Sequence, residues 1–137
     1  VVLFNRFYQP DINIDKMEYI SGEVFSTPAD LSTTIRWIGI SSAEIDKIDY
    51  AASGGIHNGE AIVKAILAGA TAVEICSTIY MNGNAIIQDM LGRVESWMYQ
   101  KGFEHIAQFK GLMNAKTIKG VNMFERTQFL KYFGTKE

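Results

Sequence analysis

Apolar positions along the chain fall into short runs and helix-spaced stripes that alternate with polar, glycine-containing breaks. Val1-Val2-Leu3-Phe4 is a brief apolar run halted by polar residues, the pattern of a buried strand. From Asn5 to Ile14 the polar positions, with Pro10 and Asp11, predict a loop. Met17 to Phe25 predicts two short strands around Ser21-Gly22. Thr27-Pro28-Ala29-Asp30 reads as a helix start. Threonine suits the cap, proline the first helical position, and an aspartate lies near the positive end of the helix dipole. Leu31, Ile35 and Ile38 recur at helical spacing, so this helix is predicted to reach Gly39 or Ile40.

The pattern then becomes more regular. Ile48 to Ser53 predicts a strand broken by Gly54-Gly55. The stretch from Gly59 to Leu67 predicts a short helix with Ile62, Val63, Ile66 and Leu67 on one face. A tight Ala68-Gly69-Ala70 turn leads to a strand from Ala72 to Ser77. Ala85 to Gln100 predicts the longest helix. Its apolar face is Ile86, Ile87, Met90, Leu91, Val94, Trp97 and Met98, read as ordinary core, and Gly102 stops it. Asn122 with Glu125 resembles a capping box that opens a last helix toward Phe133. Strands alternating with helices predict an α/β fold, a parallel sheet with helices outside.

Composition narrows the partners. With 47% hydrophobic residues in 137, one domain over 1–137 can bury a core. A net charge of −2 leaves no basic footprint for nucleic acid. No apolar run reaches the roughly 18 residues of a membrane span and no signal peptide is visible, so no membrane role and a cytoplasmic location are expected. The single cysteine, Cys76, excludes an intrachain disulfide and suits a reducing compartment. Two isolated histidines and no close carboxylate cluster argue against a metal site.

Two strand ends carry the candidate chemistry. Ala51-Ala52-Ser53-Gly54-Gly55-Ile56 and Val73-Glu74-Ile75-Cys76-Ser77 both finish in small residues, which leave backbone N–H groups bare at one rim for a phosphate. In a (β/α)8 TIM-barrel the loops after the last two strands hold such a group. A simple strand-to-helix turn would use the glycine pair equally well. A full barrel needs about 250 residues, so this chain is expected to be its C-terminal half. The start at Val1, inside a strand and without an initiator Met, points the same way. An open half-barrel has unpaired strand edges, to be covered by the N-terminal half or by a second copy.

Other residues carry weaker signals. Cys76 reads as a buried small hydrophobe rather than a nucleophile. His57 either touches a phosphate oxygen or faces solvent in the first helical turn, the second being the plainer reading. Asp11 and Asp15 read as turn residues. Glu74, alternating with Val73 and Ile75, would point inward toward a polar partner. Arg6 suits an anionic group or a surface ion pair equally, and His105 is given no role.

The run Phe4-Asn5-Arg6-Phe7-Tyr8-Gln9-Pro10-Asp11-Ile12 resembles the dihydroorotate dehydrogenase-like flavoproteins. Ser26-Thr27-Pro28-Ala29-Asp30-Leu31, Arg36-Trp37-Ile38, the glycine pair, Ala68-Gly69-Ala70, Cys76-Ser77, Asn82-Gly83 and Phe124-Glu125-Arg126 extend the likeness. That resemblance implies an FMN-dependent oxidoreductase that passes a hydride from a dihydropyrimidine such as dihydroorotate to the flavin, in pyrimidine biosynthesis. Carried over by position, Gly54, Gly55, Cys76 and Ser77 would cradle the FMN phosphate, Ser26 and Ser53 would face the cofactor, and Asn5 would bind substrate. Members acting on dihydroorotate tend to place a small hydroxyl residue after that asparagine, where this chain has Arg6. The catalytic base would lie in the N-terminal half, so this segment alone is expected to be inactive, and the assembly is expected to be a homodimer. The rival readings are a phosphosugar isomerase or synthase barrel and a non-catalytic phosphate-binding half-barrel.

Overall fold

The computed structural model describes residues 1–4 and 9–118. Its elements in chain order are β1 (Val2–Leu3), β2 (Pro10–Asn13), β3 (Glu18–Ser21), α1 (Leu31–Glu44), β4 (Ala51–Ser53), α2 (Gly59–Ala68), β5 (Ala72–Glu74), α3 (Ser77–Asn82) and α4 (Ala85–Lys101). β1, β4 and β5 form a parallel three-stranded sheet in that order, and β2 and β3 form a separate antiparallel hairpin.

Register decides which sheet residues are buried. Leu3, Ala52 and Val73 stand in one row across the three strands. Ala52 is fully buried, with Leu3 and Val73 packed against the same core. Side chains alternate between faces along a strand, so Ala51, Ser53, Ala72 and Glu74 belong to the opposite face. The helices therefore cover one face of the sheet.

Small residues let α2 sit close between its neighbours. A Cβ on Gly69, which has φ +122°, would collide with the Ser42 side chain of α1, whose hydroxyl donates to the Ala68 carbonyl at 2.9 Å. A Cβ on Gly59 would meet Arg93 Cβ at 2.5 Å, so the start of α2 abuts α4. Packed on several sides, α2 buries Ala61, Ile62, Val63, Ala65, Ile66 and Ala68, more than the one apolar face its spacing predicts. Asn58 caps it, the side-chain oxygen accepting from the Ala61 amide at 2.9 Å. The core closes on Trp97, Phe103 and the fully buried Phe109, whose ring centroids lie 5.1–5.7 Å apart.

A polar cluster ties the sheet's lower end. The Val1 nitrogen donates to the Asp49 carbonyl at 2.7 Å, and Thr71 Oγ1 donates to Asp49 Oδ1 at 2.8 Å. Lys110 Nζ lies 3.6 Å from the same carboxylate. The Thr71 hydroxyl first, and then the Lys110 charge, hold the Asp49 carboxyl below the usual aspartate range.

Several expectations change. Val1 and Val2 are exposed and only Leu3 and Phe4 are half-buried, because β1 lies at an edge of the sheet. The predicted loop contains β2, whose Asp11 and Ile12 pair with Ile20 and Tyr19, so Asp11 is a strand residue rather than a turn residue. No second strand follows at Glu23–Phe25. α1 continues past Gly39 to Glu44, and the Tyr50 hydroxyl, shared between the Ser41 and Ile45 carbonyls, pins its end. β5 stops at Glu74, and Ser77 instead begins α3, a helix that the spacing does not announce. On α4, Met90 and Val94 are buried while Ile87 and Leu91 stay exposed. The capping pair Asn122 and Glu125 and the helix toward Phe133 lie outside the described residues.

Candidate functional site

The upper ends of β4 and β5 open onto a cavity of about 450 Å³. Ser26, Ser53, Gly54, Gly55, Cys76 and Ser77 all line it, joined by Phe4, Val24, Ile56, Glu74 and Ile75. Every residue expected to meet a cofactor is thus at one place. Asn5, the expected substrate ligand, and Arg6 lie outside the described residues.

The glycine pair is shaped by what surrounds it. Gly54 and Gly55 have φ of +95° and +77°, a region L side chains rarely adopt. A Cβ on Gly55 would also collide with the backbone of Leu31 and Asp30 at the start of α1. A bulkier residue there, aspartate included, disturbs the α1 contact as well as any ligand.

Thr34, buried in α1, was not singled out by the sequence pattern, yet it sets the direction of this loop. Its hydroxyl reaches the Ser53 carbonyl at 2.8 Å and the Gly54 carbonyl at 3.1 Å. In a trans peptide the N–H points opposite to the C=O. Holding these two carbonyls toward α1 therefore turns the Gly54 and Gly55 N–H groups to the other side. Gly54 N–H faces the Glu74 carbonyl in the β4–β5 ladder, whereas among the described residues no turn, loop or cap hydrogen bond is donated by the amides of Gly55, Cys76 and Ser77. Three such amides and a cavity lined by their residues suit an acceptor-rich anion.

The segment between the hairpin and α1 forms another wall. Ser26 N donates to Ser77 Oγ at 2.9 Å, and Ser26 Oγ lies 3.0 Å from His57 Nε2. His57 is half-buried and hydrogen-bonded, not a solvent-facing first-turn residue. The Thr27 amide donates to Asp30 Oδ2 at 2.7 Å and closes the turn that enters α1, where the cap was expected.

Cys76 is exposed rather than buried, because it lies past the end of the edge strand β5, just before α3. Glu74 is exposed on the cavity wall and has no polar partner among the described residues, so the inward pairing is not seen. His105 stands exposed before a short 3-10 turn, away from this cavity. Among the described residues no group of three or more His, Cys, Asp or Glu could hold a metal ion, and no helix is long and apolar enough to cross a membrane.

No protein-family model matches the chain. Dihydroorotate dehydrogenase A (fumarate) of Lactococcus lactis subsp. cremoris is 32% identical over 69 residues, 50% of this chain and 22% of that protein. The catalytic subunit of dihydroorotate dehydrogenase B (NAD(+)) of Thermoplasma volcanium is 31% identical over 87 residues, 64% of this chain and 29% of that protein. Among solved structures, the dihydroorotate dehydrogenase of Eimeria tenella in complex with ferulenol superposes with a TM-score of 0.66 at 20% identity, over 81% of this chain and 30% of that one. The ligand-free form of the Eimeria tenella enzyme gives 0.60 at 23% identity. The chain spans less than a third of the length of each of these four proteins. It is similar to the dihydroorotate dehydrogenases in sequence over part of its length and in fold over most of it, as the sequence resemblance implies.

Proposed function

We propose that this chain is the phosphate-holding, C-terminal half of a (β/α)8 barrel in an FMN-dependent oxidoreductase of dihydroorotate dehydrogenase type. The observation that carries the reading is the convergence of Ser53, Gly54, Gly55, Cys76 and Ser77 on one cavity, with the amides of Gly55, Cys76 and Ser77 making no turn, loop or cap hydrogen bond among the described residues. These residues fit the phosphate of FMN. They offer donors without side-chain bulk, and hydrogen bonds to a charged acceptor contribute about 1.5–3 kcal/mol each. FMN, when bound, supplies the hydride acceptor for oxidising a dihydropyrimidine such as dihydroorotate to orotate, a step of pyrimidine biosynthesis.

The chain's own residues divide the remaining work. Thr34 holds the glycine loop with its N–H groups turned away from α1. Ser26 and Ser53 close the cavity around the cofactor, and Asn5 hydrogen-bonds the substrate. The base that takes the substrate proton comes from the N-terminal half of the barrel, which pairs against the open edges of β1 and β5. The segment alone is therefore inactive, and the complete enzyme works as a cytoplasmic homodimer.

Comparing FMN with riboflavin, which has the same ring system without the phosphate, tests the reading. The purified protein is expected to retain FMN, with its visible flavin absorbance, through gel filtration and to lose riboflavin. Retention of neither, or of both equally, overturns the phosphate assignment.

A further inference from the structure

The contact between Ser26 and His57 lies beside the cavity, and the strand-end reading gives it no part. We propose that His57 is a positioning residue: by donating from Nε2 to Ser26 Oγ, it leaves the Ser26 hydroxyl proton free for a phosphate oxygen in the cavity. The inference rests on the phosphate reading of this site and deepens it.

A serine hydroxyl has one proton to donate and two lone pairs to accept with. Ser26 Oγ and His57 Nε2 are 3.0 Å apart, so one proton lies between them. If it belongs to Ser26, the serine has spent its only donor on the imidazole and presents lone pairs to the cavity, which repel an anion. If it belongs to His57, Ser26 accepts from the ring and its own O–H is available. Phosphate oxygens only accept, so an occupied site favours the state in which Nε2 carries the proton.

Ser77 follows the same pattern independently. Its Oγ accepts from the Ser26 amide at 2.9 Å, which leaves the Ser77 hydroxyl proton uncommitted among the described residues. Two cavity-lining hydroxyls from separate segments thus accept from protein donors and keep their own protons to give. His57 is well placed to couple them to the amides, because it stands in the loop between Gly54-Gly55 and the Asn58 cap of α2. Its bond to Ser26 ties that loop to the segment preceding α1.

The test measures FMN and inorganic phosphate affinity in the purified protein and in His57→Ala and His57→Gln, each with and without Ser26→Ala. Glutamine keeps a side-chain N–H donor. His57→Ala is expected to weaken FMN binding about tenfold and His57→Gln by less than about threefold, the scale of one hydrogen bond to a charged network. With Ser26 replaced by alanine, the His57 substitutions are expected to have no further effect, an outcome that a purely structural role would not produce. Imidazole 15N resonances of the wild type give a second reading, with Nε2 protonated once inorganic phosphate is added. Equal binding by wild type and His57→Ala, an undiminished His57 effect without the Ser26 hydroxyl, or an unprotonated Nε2 in the phosphate-bound state each overturns the proposal. A wild type that binds phosphate but not FMN removes the flavin reading and leaves the His57 role to be decided by the phosphate affinities. One that binds neither overturns both.

Discussion

The parallel unit and the β2–β3 hairpin both carry large apolar side chains, but only the first encloses them. Ile38, Ala52 and Phe109 are at 0% exposure, whereas Ile14 and Met17 at the hairpin tip are at 81% and 88%. In the parallel unit, one row of sheet residues meets helices whose small residues allow close approach. The hairpin is a two-stranded ribbon, with Asn13 alone among its strand residues half-buried. Such ribbons are marginal in isolation. Its register is held by the ladder and by Gly22 N donating to the Gln9 carbonyl at 2.8 Å. The Lys16–Glu18 pair, exposed at 3.8 Å, adds little. Apolar content therefore does not predict burial here; the number of layers does.

The contrast can be tested at its strongest point first. Phe109→Ala empties the centre of the aromatic cluster and is expected to cost about 3–5 kcal/mol in denaturant unfolding. A loss below about 1 kcal/mol would mean that the core is looser than its packing implies. Next comes the polar tie beneath the sheet. The folded Asp49 carboxyl is held below its ordinary value of 3.8, so its stabilising contribution is complete above that value and is lost as the pH falls through the lowered folded value. Asp49→Asn should flatten this acid limb in thermal unfolding, and an unchanged limb would place the acid sensitivity elsewhere. The smallest effect belongs to the hairpin. Replacing Ile14 and Met17 with serine should change the stability of this chain by less than about 0.5 kcal/mol per site, and a larger loss would show that the tip is packed in solution.

Much of the parallel unit is legible because its punctuation is local. Asn58 and Gly69 bound α2, and Gly102 ends α4 in a left-handed turn. The gathering of the small strand-end residues at one cavity is legible too, since parallel strands joined by helices bring equivalent ends to the same rim. What is hidden depends on partners distant in sequence. β2 exists through its pairing with β3, and the turn between them uses Met17 at φ +54°, with no glycine to announce it. α3 is six residues long, too short to show a period. Thr34 and His57 acquire their roles only when folding brings them to the Ser53 and Gly54 carbonyls and to Ser26, 19 to 31 positions away.

The spatial order β1-β4-β5 is also the order in which those strands occur along the chain. Each strand is therefore laid beside its predecessor through a single intervening crossover, and none must wait for a strand encoded much later. A polypeptide emerging from the ribosome can add these units in sequence, the β1–β4 pairing closing the longer loop, over the hairpin and α1, and the β4–β5 pairing the shorter one, over α2.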